Sequence, residues 1–184
     1  MLSHFTSTAE LETLANYFNV PRNVYPIGRL DADSEGMLIL TNDKKLNNLL
    51  LNPKFGHNRT YLVQVDGDIT EEACLQLQKG IDLKIDGVAF STLPAKIKKL
   101  SDEPKVPERN PPIRFRKNIP TSWIELSICE GKNRQVRRMT AAVGFPTLRL
   151  IRIAIENLTF DELIPCYCEE IEKTKIYSKL NIRL

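Results

Sequence analysis

Long apolar runs are missing from this sequence. No stretch of 18 apolar residues occurs, and the N-terminus shows no basic region followed by an apolar one. We therefore expect no membrane span, no secretory signal and a cytoplasmic protein. Paired cysteines are missing as well, since the four cysteines form no C-x-x-C and only Cys166 and Cys168 lie close together. This C-x-C is a weak indication of zinc, so free thiols and no bound metal are predicted.

Acidic residues are absent from one long stretch of the chain. No Asp or Glu occurs from 131 to 155, although the net charge of the whole chain is only +3. A second stretch, 105–117, has one acid, Glu108, against five basic residues. Both stretches indicate a surface that faces a polyanion, and a solvated cationic face without a partner is the alternative. The basic residues of the first stretch are Lys132, Arg134, Arg137, Arg138, Arg149 and Arg152, and those of the second are Lys105, Arg109, Arg114, Arg116 and Lys117.

The hydrophobic pattern predicts an α+β fold with a largely antiparallel β-sheet and flanking helices. A chain of 184 residues with 42% hydrophobic residues is long enough to bury the core of one domain. Hairpins outnumber β-helix-β units in the pattern, which favours antiparallel pairing. Helices are predicted after a capping box at 7–10, from Asp43 to about 51, from Thr70 to 80 and over 134–143; strands are predicted at 37–40, 59–65, 122–129 and 147–155, with a hairpin turn at 86–87 and a proline-rich loop at 101–122.

The predicted helix after Glu130 is amphipathic. Val136, Met139 and Val143 fall on one face, and three arginines fall on the other. The segment 131–133 precedes its N-terminus, where free backbone N–H groups favour an anion. Guanidinium groups at such a place could hold phosphates, a carboxylate or both. An amphipathic surface helix without a ligand is the alternative.

The segment 28–36 carries three acids and one arginine between two glycines. Loops hold functional residues more often than regular elements do. A calcium loop is the obvious rival, but the spacing does not match the EF-hand pattern and no helix leads directly into the segment. A simple polar turn remains open on composition alone.

These segments together resemble the RsuA-type pseudouridine synthases. Gly-Arg-Leu-Asp at 28–31, continued to Asp43, resembles the signature of that family, and Glu-Gly-Lys-Asn-Arg-Gln-Val-Arg-Arg-Met at 130–139 resembles its second catalytic motif. The segments 60–63 and 150–152 match the family's tyrosine-bearing strand and a later strand. The segments 109–114 and 119–123 look like its ribosomal large-subunit (E) branch.

The resemblance implies a role for individual residues. Asp31 matches the catalytic aspartate, which is proposed to attack the ribose or the uracil ring or to assist glycal formation. Tyr61 matches the tyrosine that stacks on the target base, and Arg137 matches the basic residue that pairs with the aspartate. Leu150 matches an apolar residue that lines the pocket, and Arg29 one that fills the space of the flipped base.

The resemblance also implies the pseudouridine synthase catalytic fold and a partner, ribosomal RNA, most simply that of the large subunit. No cofactor, no membrane contact and a monomer are expected. The catalytic domain would span 1–172 without the S4 domain that many relatives carry, and 173–184 would form a mobile tail. The further residues expected to contact RNA are Lys132, Arg134, Arg138, Arg152, Arg109, Arg114 and Arg116.

Two other functions remain open beside this one. A non-catalytic RNA-binding or ribosome-assembly protein on the same scaffold would show the same basic surfaces, but it would not require an acid facing a polyanion. A phosphate-binding enzyme built on 131–138 would lack the Walker or Rossmann glycine pattern. A Ser-His-Asp hydrolase is disfavoured, because His4 and His57 lie outside the motifs.

Overall fold

A six-stranded sheet organises the chain, for which a computed structural model describes residues 3–5, 12–85, 87–113, 119–159 and 164–183. The strands are β1 (Tyr25–Pro26), β2 (Glu35–Gly36), β3 (Leu40–Thr41), β4 (Arg59–Asp66), β5 (Asp82–Ile85), β6 (Val88–Ser91), β7 (Lys96–Lys99), β8 (Thr121–Ile128), β9 (Thr147–Ile155) and β10 (Leu158–Thr159). The helices are α1 (Lys44–Leu51), α2 (Glu71–Lys79), α3 (Gln135–Ala142) and α4 (Lys173–Lys179).

The strands of the large sheet are almost all antiparallel. Its order is β10-β9-β4-β8-β7, and β2 joins the same β9 in the parallel direction. Strands β4, β8 and β9 form its centre because each is long and contributes buried side chains to both faces of the sheet. The register pairs Tyr61 of β4 with Arg152 of β9 and with Leu126 of β8. The predicted α+β class with a largely antiparallel sheet is confirmed.

The main core lies on one face of this sheet, beneath α2 and α3. Val63, Leu126 and Met139 are fully buried there, together with Leu77 of α2. Helix α2 begins where Thr70 accepts a hydrogen bond from the Ala73 amide, as the sequence predicted. The opposite face of the sheet carries a smaller cluster of Leu62, Trp123 and Ile151, which Leu100 and Val106 cover.

A second core joins α1 to the C-terminal residues. Leu46 and Leu50 of α1 pack with Tyr177 and Leu180, all of them at most 4% exposed. Asp43 caps α1 with one carboxylate oxygen and accepts a hydrogen bond of 2.8 Å from the Tyr177 hydroxyl with the other. The prediction of a mobile tail from 173 onward is therefore wrong for the described part, because α4 belongs to this core.

Most predicted elements are confirmed, and two are not. Helices at α1, α2 and α3 and strands at β4, β8 and β9 form as the pattern indicated. The strand predicted over 37–40 is interrupted because this stretch changes partners: the Met37 amide donates to Arg152 of β9, whereas Ile39 accepts from Ile27 near β1. The predicted first helix shows only a 3-10 turn at Leu14–Asn16, and its capping box lies outside the described residues.

Among the helices of the described ranges, none is both long and apolar enough to cross a membrane.

Candidate active site

A cleft of about 640 Å³ opens where the loop at 28–36, the C-terminal end of α1, the turn before α3 and the strands β4 and β9 meet. Segments that are far apart in the sequence thus converge on one place, as the four-motif resemblance implied. Asp31, Tyr61, Arg134, Leu150 and Arg152 all line it. The candidate catalytic carboxylate and the candidate stacking tyrosine therefore share one cleft.

The loop that carries Asp31 is fixed at both ends. The Ser34 amide donates to the Asp31 carbonyl at 2.9 Å, and the Ser3 hydroxyl bonds both backbone groups of Leu30. At its far end Gly36 has a φ of +101°, and a Cβ there would overlap the backbone of Arg152. The loop can therefore lie directly against β9 only because position 36 is glycine. The Asp31 side chain is 35% exposed and faces the cleft.

Two arginines of the second motif hold the acids of this loop. Arg134 makes two parallel hydrogen bonds of 2.9 Å to the Asp33 carboxylate, and its Nη1 lies 3.8 Å from Asp31. Arg137 donates to the Asp33 carbonyl at 2.8 Å and lies 3.5 Å from its carboxylate. The hydrogen bond from Arg134 lowers the pKa of Asp33, and burial lowers the pKa of Arg137.

The direct pair predicted between Arg137 and Asp31 is not formed. Arg137 contacts Asp33 instead, and Arg134 is the nearer cation to Asp31. The reason lies in the start of α3: Arg134 precedes the first helical residue with a left-handed backbone (φ +50°), which directs it to the loop. Arg137 lies one turn further along, where its Nη1 reaches the Thr147 carbonyl.

The floor of the cleft is formed by β4 and β9. Tyr61 stands opposite Arg152, and Leu150 beside them is 6% exposed. Arg152 is 5% exposed, and its Nε donates to the Met37 carbonyl at 2.7 Å. Burial lowers the pKa of this arginine, the nearby Tyr61 hydroxyl raises it, and Arg59 lowers it further. Although Tyr61 is near, the buried Arg152 Nη2 has no hydrogen bond of acceptable geometry within the described ranges.

The other predicted RNA-binding residues are spread more widely. Arg29 and Lys132 line the cleft, and Lys132 lies 5.1 Å from the centre of the Phe90 ring. Arg138 points away and donates to the Lys84 carbonyl of the β5–β6 hairpin. Arg109 lies beside a smaller second cleft. Arg114 and Arg116 lie outside the described residues.

Sequence reasoning missed two features of the site. Arg59 lines the cleft, and the alternation of β4 was a signal for it, because residues two apart on a strand share a face with Tyr61. The second feature is a bridge behind the loop: Glu35 accepts hydrogen bonds of 2.9 and 2.7 Å from Arg149, and Arg109 lies 3.4 Å away. No local pattern links Glu35 to Arg149, since they are 114 positions apart. Within the described ranges, no group of three or more His, Cys, Asp and Glu residues could hold a metal.

Comparisons with known proteins agree on one family. The family model described as RNA pseudouridylate synthase matches residues 3–142. The chain is 51% identical over 171 residues to a ribosomal large subunit pseudouridine synthase E of Vibrio parahaemolyticus, covering 93% of this chain and 69% of that protein. It is 47% identical to the protein of the same name from Xanthomonas axonopodis, covering 90% and 85%. A crystal structure of a pseudouridylate synthase superposes with a TM-score of 0.73 at 28% identity, over 91% of this chain and 65% of that one.

Proposed function

The chain belongs to the RNA pseudouridylate synthase family, and we propose that it isomerises a uridine of large-subunit ribosomal RNA to pseudouridine. The observation that carries this proposal is the cleft in which Asp31, Tyr61 and Arg134 of the second motif meet. The relatives named as large-subunit enzymes support the choice of ribosomal RNA. Such a substrate is cytoplasmic, and we extend the proposal to a cytoplasmic, monomeric enzyme.

The reaction rearranges bonds within one nucleotide. The N1–C1′ bond breaks, the uracil turns, and a C5–C1′ bond forms. C5 loses a proton and N1 gains one, so no group or electron pair leaves the RNA. This balance requires neither a redox cofactor nor a phosphate donor.

The target base must first leave its stack, because its reacting atoms are inaccessible inside a helix. Flipping costs a few kcal/mol. In our proposal Tyr61 offsets about 1–3 kcal/mol of that cost by stacking on the extruded base. Arg29, at the exposed rim of the cleft, would fill the space that the base leaves.

In this proposal Asp31 assists cleavage of the glycosidic bond. Its carboxylate is the acidic group of the loop that is not held by a bidentate arginine, since Arg134 is committed to Asp33 at 2.9 Å and stays 3.8 Å from Asp31. The carboxylate thus has a counter-charge nearby and oxygens free to reach a substrate. Arg137 acts indirectly in this proposal: its hydrogen bond to the Asp33 carbonyl stabilises the conformation of the loop that carries Asp31.

The test is the substitution Asp31→Asn, which keeps the size of the side chain and removes its charge. We expect RNA affinity within about tenfold of wild type, or about 1.4 kcal/mol, because the change leaves the basic surfaces intact. We expect no detectable isomerisation, measured as release of tritium from C5 of a uridine-labelled rRNA fragment. Asp68→Asn is the matched control, since Asp68 pairs with Lys99 and lines neither cleft.

The outcome separates catalysis from RNA binding alone. Turnover of the Asn variant near the wild-type rate would remove Asp31 from the mechanism. A wild-type chain that binds the fragment but releases no tritium would favour a non-catalytic RNA-binding protein.

A further inference from the structure

The floor of the cleft holds two arginines that have no acidic partner among the residues that the structure describes. Within the described ranges, neither Arg59 nor Arg152 has a carboxylate within 4 Å. In contrast, Arg134, Arg137 and Arg149 each pair with an acid of the loop at 28–36. The two lie near enough to each other that Arg59 lowers the pKa of Arg152. Two like charges therefore lie near each other, with Arg152 buried and Arg59 partly buried, and no carboxylate of the described residues lies within 4 Å of either.

This arrangement is costly for the free protein. Arg152 is 5% exposed, and its Nη2 is a buried donor without a hydrogen bond of acceptable geometry. A buried donor without a hydrogen bond destabilises the folded protein, and a buried charge without a counter-charge destabilises it more. Arg59 is anchored by its Nη2 to the Leu50 carbonyl at 2.8 Å, which leaves Nη1 beside Gly131 at the edge of the turn before α3. Both side chains line the same cleft.

An anion is the ligand that relieves both defects. A neutral carbonyl would accept a hydrogen bond from Arg152 but would leave the repulsion between the two cations unchanged. A phosphate oxygen accepts charge-assisted hydrogen bonds and neutralises charge, and guanidinium groups suit phosphate geometry. The two arginines also lie beside the candidate stacking residue. Arg152 of β9 stands opposite Tyr61 of β4, and Arg59 precedes Tyr61 by two residues on the same face of that strand.

We propose that Arg59 and Arg152 form a subsite for one phosphodiester of the RNA backbone, next to the uridine that stacks on Tyr61. The subsite adds a substrate contact to the proposed function, and the identification of its ligand as RNA rests on that function. It positions the nucleotide and takes no part in bond breaking, so Arg59 and Arg152 are positioning residues. It also adds a contact that depends on charge and not on the sequence of the RNA.

The experiment is a scan of neutral linkages. Single methylphosphonate linkages are placed, one per molecule, at successive positions of an rRNA fragment that the wild-type chain binds, and equilibrium affinity is measured. One linkage is expected to weaken wild-type binding by about tenfold or more, as for loss of a charge-assisted hydrogen bond. In Arg152→Gln and in Arg59→Gln the same linkage should cost less than about twofold, because its partner is already gone.

Controls keep the result specific. Lys175→Gln removes the same charge from an exposed position of α4 that lines neither cleft, and it should keep the full sensitivity to the neutral linkage. Arg59 is only partly buried, so we expect Arg59→Gln to fold. This variant therefore provides the test if Arg152→Gln does not fold.

The outcomes separate this subsite from the proposed function. A scan without a sensitive position, or a sensitivity that persists in both arginine variants, overturns the subsite even when the RNA is isomerised. A sensitive position that depends on both arginines in an RNA that releases no tritium upholds the subsite and overturns the catalytic proposal.

Discussion

The charged groups are paired at the rim of the cleft, which the loop at 28–36 and the start of α3 form. On its floor, which β4 and β9 form, they are not paired among the described residues. On the rim, Arg134 is bonded twice to Asp33, and behind the loop Arg149 is bonded twice to Glu35. On the floor, Arg152 has no carboxylate partner in the described part of the chain and keeps one buried donor unsatisfied. The charged groups of the rim are paired in the free protein, although the buried Nε of Arg137 also lacks a hydrogen bond among the described residues. Arg152 on the floor has no carboxylate partner there, and the proposed phosphate would supply the missing charge.

The contrast is sharpest between Arg149 and Arg152, which belong to the same strand. They are three residues apart on β9 and so point to opposite faces of the sheet, and their exposed fractions are 6% and 5%. Burial is therefore the same, and only the counter-charge differs. A paired buried arginine fixes the structure, while an unpaired one stores free energy that a ligand can release.

The largest effect is expected from breaking the paired side. Glu35→Ala leaves Arg149 buried without its carboxylate and should lower the free energy of unfolding by about 2–3 kcal/mol, less than for a fully buried pair because Glu35 is one-third exposed. Urea unfolding measures this loss. Arg152→Gln should cost less in the same assay, since it removes a charge that has no carboxylate partner.

A double variant checks that the cost of Glu35→Ala comes from the stranded charge. Glu35→Ala combined with Arg149→Met should be more stable than Glu35→Ala alone, because a buried pair replaced by apolar groups is often tolerated. Equal losses for Glu35→Ala and Arg152→Gln would contradict the contrast between the two arginines.

A smaller effect is expected on the floor, at Tyr61. Tyr61→Ala should weaken RNA binding by about 1–3 kcal/mol, the range of base stacking, whereas Tyr61→Phe should keep most of the affinity. Neither change should reduce stability as Glu35→Ala does, because Tyr61 takes part in none of the ion pairs that the described residues form at the rim. Equal losses of affinity for Phe and Ala would point to the hydroxyl group and its contact with Arg152.

Sequence patterns predicted those parts of the fold that depend on neighbours in the chain. Helix α1 was visible from the cap at Asp43, and β4 from the alternation of its side chains. The sequence also named Asp31, Tyr61 and Leu150, which the structure brings to one cleft, although their roles stay predictions.

The features that were missed depend on contacts between distant residues. Tyr177 reaches Asp43 across 134 positions, so nothing local distinguished α4 from a tail. The choice of Arg134 over Arg137 as neighbour of Asp31 follows from a left-handed residue at the start of α3, where Arg134 has a φ of +50°. Helical periodicity describes residues inside a helix and says nothing about the conformation of the residue before it.

The smallest effect concerns the pH dependence of the rim. The pKa of Asp33 is lowered in the folded chain, chiefly by the hydrogen bond from Arg134, so its contribution to stability is complete above the unfolded value of about 4. That contribution is lost as the pH falls through the lowered pKa, when the carboxylate takes up a proton and releases Arg134. Asp33 is 41% exposed, so the effect is small.

Urea unfolding from pH 7 down to about 3 measures this contribution. The difference in free energy of unfolding between wild type and Asp33→Asn should become smaller as the pH falls. In an Arg134→Gln background the same difference should be smaller at neutral pH and should depend less on pH. A difference that stays constant over this range would mean that the Asp33 pair adds nothing to the stability of the folded chain, and the contrast between rim and floor would then rest on Glu35 and Arg149 alone.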